Sequence, residues 1–196
     1  MNMNGKQIKI KLKLFIKIFV ISPKNWNRLK KTDVLIYDLI GSEILMLYLK
    51  KYSVSKMAIR GETINIFCLL NSMIKLSFWK NPLLAYTDTY IKAVLPKVII
   101  THNDNDSKFY SISKKFPKCK TILVQNGLRE NWLDTFSGKD KFHVDYMLVH
   151  GVSIGMYYGS HISGEVLPIG SLRNNAASSS NKTISNSVLF ISQWID

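Results

Sequence analysis

Residues 95–105 read Leu-Pro-Lys-Val-Ile-Ile-Thr-His-Asn-Asp-Asn, and residues 120–127 read Lys-Thr-Ile-Leu-Val-Gln-Asn-Gly. Each is a short apolar run that ends in a cluster of amides, acids and glycine. Continuous Val/Ile/Leu runs are the mark of strands buried on both faces, as in a parallel sheet, and parallel strands bring their last residues to one edge. Open α/β folds bind ligands at that edge. The clusters Asn103-Asp104-Asn105 and Gln125-Asn126-Gly127 are therefore the first candidates for chemistry.

Working outward, the same grammar repeats. Thr32 to Asp38 is an apolar run closing on an acid, and Gly41-Ser42-Glu43 then opens a helix that runs to Lys50 and Lys51. An acid in the first turn and cations in the last suit the helix dipole. Val54 to Ile59 reads as the next strand, ending in Arg60-Gly61-Glu62. Ile64 to Trp79 fits either a strand plus a helix or one long helix. Pro82 suits the first turn of a helix to Leu95 that Pro96 stops. Lys97–Thr101, Thr121–Val124, Val144–Val149 and Glu165–Ile169 read as strands. A capped helix through Phe116 and another over Ser153–His161 separate them, and Leu128 to Phe142 reads as a loop. Alternation of this kind specifies an α/β protein with a doubly wound, largely parallel, Rossmann-like sheet.

The flanks read differently. No acidic residue precedes Asp33, and the whole chain carries a net charge of +14, which points to an anionic partner or to a solvated basic face. In Ile8 to Leu14 apolar residues and Lys alternate, as on an edge strand guarded by charge. The alternative for this region is an anchor on an anionic membrane surface, because basic residues interleaved with Phe and Leu also suit lipid headgroups. Interrupted by lysines, the segment is too short to span a bilayer. The expected organisation is a basic segment over 1–31, the α/β domain over 32–173, a Ser/Asn-rich linker over 174–187 and the first strand of a further domain over 188–196. Cys68 and Cys119 lack metal-knuckle or redox spacing and suggest a reducing compartment.

No phosphate loop, dinucleotide fingerprint, His-Glu-x-x-His or Gly-x-Ser-x-Gly pattern occurs, and His102, His143, His150 and His161 are dispersed, so no metal site or cofactor is expected. The aromatic residues follow core spacing rather than the basic run, which argues against specific nucleic-acid binding. What remains is a rim of amides, alcohols, acids and glycines suited to a hydroxyl-rich ligand.

Asp33 to Glu43, Arg60-Gly61-Glu62, Val98 to Tyr110, Val124 to Arg129 and Pro168 to Asn174 together resemble bacterial surface-carbohydrate biosynthesis proteins. Those look like two-domain GT-B glycosyltransferases, related in shape to UDP-GlcNAc 2-epimerases and CDP-glycerol glycerophosphotransferases. The resemblance implies an acceptor-side N-terminal domain, working on a saccharide acceptor and a nucleotide-sugar donor at the cytoplasmic face of the membrane. It also implies that the donor-binding domain is missing here and that the chain alone does not turn over. Asp104 is the expected general base, with Glu43, Glu62 and His102 as rivals. Gly41, Ser42, Glu43, Arg60, Glu62, His102, Asn103, Asn105, Gln125, Asn126, Gly127, Arg129, Gly170 and Ser171 are the expected binding residues. Two other functions fit the same residues: an epimerase or polyol-phosphate transferase on this fold, or a non-catalytic basic module docking to anionic lipid or nucleic acid through residues 6–31.

Overall fold

Along the first central strand the side chains divide between two cores: Leu35 and Tyr37 enter one, Val34 and Ile36 the other. A strand buried on both faces needs helices on both, which is the doubly wound arrangement. The computed structural model describes residues 16, 19–127 and 142–176. The predicted edge strand over Ile8–Leu14, most of the predicted loop over 128–142, and the segment from 177 onward lie outside them.

Six strands form one all-parallel sheet: β2 (Val34–Ile36), β3 (Val54–Lys56), β5 (Val98–Thr101), β6 (Lys120–Val124), β7 (Phe142–Val149) and β8 (Ile162–Pro168), in the order β3-β2-β5-β6-β7-β8. Two further two-residue strands, β1 (Lys24–Asn25) and β4 (Ile64–Asn65), pair in parallel beside it. From β2 the chain steps to β3 on one side, then returns past β2 to β5 on the other. The carboxyl ends of β2 and β5 thus flank the point where the winding reverses, the place where open α/β sheets form a crevice.

The larger core lies under α2 (Ile66–Met73), α3 (Leu76–Lys80), α4 (Pro82–Val94), α5 (Ile112–Lys115) and α6 (Val152–His161). Phe109, Tyr158, Ile91 and Phe78 are fully enclosed there. The smaller core, around Ile36, Leu45, Ile100 and Val124, is covered by α1 (Ser42–Tyr48) and α7 (Leu172–Ala176), which are joined where the Tyr48 hydroxyl donates to the Leu172 carbonyl at 2.8 Å. Asn174–Ala176, read from composition as the start of a linker, are the end of α7.

Local chemistry sets the boundaries. The Asn81 side chain accepts from the Leu84 amide and Pro82 occupies the first turn, so α4 starts where a proline loses nothing. It ends at Val94, with Leu95 left-handed ahead of Pro96. The ambiguous run Ile64–Trp79 resolves into β4, α2 and α3, with Asn65 capping α2 through the Cys68 amide at 2.9 Å. β8 is longer than Glu165–Ile169, because a bulge between His143 and Tyr146 lets β7 and β8 pair from their starts. Gly164 is required at that bulge: a Cβ there would lie 1.8 Å from the Val144 carbonyl oxygen.

Gly41 joins α1 to the neighbouring strand end. It takes φ 69° at the N-cap of α1, and a Cβ on it would lie 2.6–2.9 Å from Nδ1, Cγ and Cβ of the His102 side chain. The position is thus closed to other residues by both conformation and space. Gly41→Ala is expected to destabilise the fold by about 2–4 kcal/mol, from left-handed strain plus overpacking, in chemical denaturation. A loss below about 0.5 kcal/mol would show that α1 is not seated on His102.

Candidate functional site

The residue at the base of the crevice is Asp38, which follows β2 and has no exposed surface. A carboxylate in that position must be paired and hydrogen-bonded to be tolerated. Its Oδ2 accepts from Arg60 Nη2 at 3.0 Å, from Arg60 Nε at 3.3 Å and from Asn103 Nδ2 at 2.9 Å, while Oδ1 accepts from the Ile40 amide at 3.1 Å. One buried acid therefore gathers the segments after β2, β3 and β5. The Arg60 side chain is 49% exposed, so the guanidinium that Asp38 holds is also open to solvent. The loop carrying it is itself tied down: the Arg60 amide donates to Glu62 Oε2 at 3.1 Å, and Ser22 Oγ donates to the Gly61 carbonyl.

Beside this group, His102 and Asn103 are buried, and Asn103 spends its amide on Asp38. His102 Nδ1 is enclosed and has no hydrogen-bond partner among the described residues. Burial, then the nearby Arg173, lowers the His102 pKa, against the opposing pull of Asp104 and Glu43. The imidazole is therefore biased toward its neutral form.

Asp104 is wholly buried, with Oδ2 accepting from the Tyr158 hydroxyl of α6 at 2.9 Å and its carbonyl from the Tyr110 hydroxyl at 3.0 Å. Of the carboxylates expected at the site, Glu43 and Glu62 are exposed; Glu43 stands in the first turn of α1. Ser42 is buried and Asn105 is exposed.

The other half of the rim follows β6 and β7. Gln125 is buried, and both ends of its amide serve the backbone: Oε1 accepts from the His150 amide at 2.9 Å, and Nε2 donates to the Gly127 carbonyl at 2.9 Å. This staple holds Asn126 and His150, both exposed, at neighbouring strand ends. Gly170 and Ser171 precede α7, where Ser171 Oγ accepts from the Asn174 amide at 3.4 Å. Arg129 lies outside the described residues.

A cavity of about 170 Å³ opens beside Tyr37, the residue before Asp38, and is lined also by Ile59, Leu84, Thr87 and Asp106 among others. Burial, with Asp106 close by, raises the Tyr37 pKa, so its hydroxyl is a donor at this wall. Among the described residues no group of three or more His, Cys, Asp or Glu side chains is arranged to hold a metal.

The structure thus brings Arg60, Asn103, His102 and Gly41 together at the reversal point and sets Asn126 and Gly127 on the next strand end. Sequence reading did not select Asp38, Arg173 or Tyr158. For Asp38 the available signal was an acid closing the first apolar strand, one residue before the chain turns toward Gly41.

Residues 122–196 match the model of a family described as "putative O-antigen biosynthesis protein". The match covers less than half of the chain and, within the described residues, runs from β6 through α7. It therefore includes the Gln125-Asn126-Gly127, His150-Gly151 and Gly170-Ser171 parts of the rim, and it supports a link with surface-polysaccharide biosynthesis. No curated protein and no solved structure matches the chain.

Because the folded pKa of His102 lies below its ordinary value of 6.5, the unfolded chain binds the extra proton first as pH falls. Stability contributed by the neutral ring is complete above about pH 6.5 and declines as pH drops toward the folded pKa. Urea unfolding between pH 7.5 and 5 should show this loss, and His102→Gln should flatten it; an unchanged slope in the variant would contradict the assignment.

Proposed function

We propose that this chain is the saccharide-handling α/β domain of a glycosyltransferase-like protein of surface-polysaccharide biosynthesis, the acceptor-side half of a GT-B-type arrangement. The observation that carries the reading is Arg60, fixed by a fully buried Asp38 at the winding reversal and also open to solvent. A guanidinium held in this way is preorganised to donate to a saccharide hydroxyl or to a phosphate, since its orientation cost is met before the ligand arrives. The amides of Asn105 and Asn126 add donors and acceptors along the same rim, which suits hydroxyl groups. The family match over residues 122–196 supports the same biological setting.

Transfer to a sugar hydroxyl needs a base within hydrogen-bond reach of that hydroxyl and a dipolar or cationic site for the departing phosphate. In this reading Glu43, an exposed acid whose charge acts on His102, takes the proton. Asp104, closed in by Tyr158, positions the β5 end that carries His102 and Asn103. Arg60 and Arg173 supply the positive field. The protein works at the cytoplasmic face of the membrane, on an acceptor saccharide and a nucleotide sugar.

Calorimetric titration of the chain with UDP-N-acetylglucosamine, CDP-glycerol and a panel of free saccharides tests this. At least one should bind, and Arg60→Gln or Asn126→Ala should weaken it by about ten-fold or more, the worth of one charge-assisted or well-placed hydrogen bond. Silence across the whole panel, or binding indifferent to both substitutions, would overturn the proposal.

A further inference from the structure

α2 is apolar on the side away from the core as well as on the side facing it. Ile66, Cys68 and Leu69 are buried, yet Phe67, Leu70 and Ile74, spaced one and two turns apart, point outward. In α3, Leu76 and Trp79 add to them. Ile74 is 84% exposed, Leu76 85% and Trp79 50%. A helix packed on a soluble domain normally carries charge on its outer face. Here Lys75 and Lys80 are the only charged residues between Thr63 and Thr87.

The neighbouring segment extends this surface. β1 pairs in register with β4 just before α2 begins, which sets Trp26, 67% exposed, and Arg28 beside its first turn; the Arg28 guanidinium stacks over the Phe67 ring at 5.7 Å. Lys30 and Lys31 follow, and no acidic residue occurs before Asp33. The face therefore combines projecting aliphatic side chains, tryptophans at its margin and the cations Arg28, Lys30, Lys31 and Lys80, while Lys75 donates to the Thr89 hydroxyl at 2.6 Å.

We infer that the α2–α3 face docks this protein onto an anionic lipid bilayer. Charge complementarity decides for lipid over another protein surface: cations flank the apolar projections on both sides, as in interfacial binding to acidic headgroups. Trp79 and Trp26 are the residue type that settles where apolar and wet regions meet. Insertion is shallow, because no helix among the described residues is long and apolar enough to cross a membrane. This surface is distinct from the Ile8–Leu14 segment considered from sequence. It also has a consequence for the rim: α3 passes through Asn81 straight into the first turn of α4, which lines the cavity beside Tyr37. A docked molecule holds its crevice next to the lipid surface. The inference stands whether or not the crevice binds saccharide.

Sedimentation of the full chain with vesicles of phosphatidylcholine alone or mixed with phosphatidylglycerol tests it. The protein should partition onto the mixed vesicles, less onto the neutral ones, and less again as salt rises. Ile74→Ser with Leu76→Ser leaves the net charge unchanged and alters only outward side chains. This double variant should keep the wild-type thermal midpoint and lose about ten-fold or more in partitioning, with Leu76→Ser alone intermediate. Three results would overturn the inference: no binding by the wild type, equal binding by the double variant, or concentration-dependent self-association that the double variant abolishes.

Discussion

A carboxylate with no access to water must be paired, and at Asp38 that requirement organises the candidate site. The acid ends the first central strand, and its partners come from a loop 22 residues later and a strand end 65 residues later. Satisfying it draws together the segments after β2, β3 and β5 on either side of the winding reversal. The crevice is thus a consequence of electrostatic necessity acting on a parallel sheet. Removing one partner would leave a buried charge short of donors, which costs far more than the exposed half of the pair contributes.

The rest of the rim is built by similar economies. Gln125 spends its amide on two backbone groups and so locks the ends of β6 and β7 together. Tyr158 reaches from α6 to Asp104, and Gly41 admits the His102 ring where any Cβ would collide. Residues that looked like ligand contacts from sequence divide into those that hold the frame and those that face outward. Gln125, Asn103 and Asp104 belong to the frame; Arg60, Glu43, Asn105 and Asn126 present themselves to solvent. An enclosed frame beneath an open polar edge is what a preorganised site requires.

Much of this is legible in the sequence. The apolar runs ending at Asp38, Thr101 and Val124 announced a parallel sheet, and Pro82 announced the start of α4, because buried strands and helix starts leave strictly local marks. The sheet order and the role of Asp38 were not legible, since the pairing of Asp38 with Arg60 and Asn103 spans distances in sequence that no periodicity encodes. The run Ile64–Trp79 stayed ambiguous for a related reason. Its apolar residues serve two surfaces at once, the core on one side and the exposed face of α2 on the other, so no single period stands out. Asp104 illustrates a third limit: a polar residue at a strand end has the same sequence signature whether it faces the crevice or is sealed under Tyr158.

The most direct measurement is a double-mutant cycle on the ion pair, with Asp38→Asn, Arg60→Gln and the pair together followed by chemical unfolding. Each single change should destabilise, and the double variant should recover part of the loss, giving a coupling of about 1–3 kcal/mol, discounted for the solvent-exposed half of Arg60. Strictly additive losses, with no coupling outside error, would mean that Asp38 does not hold Arg60 and that the crevice is organised by something else.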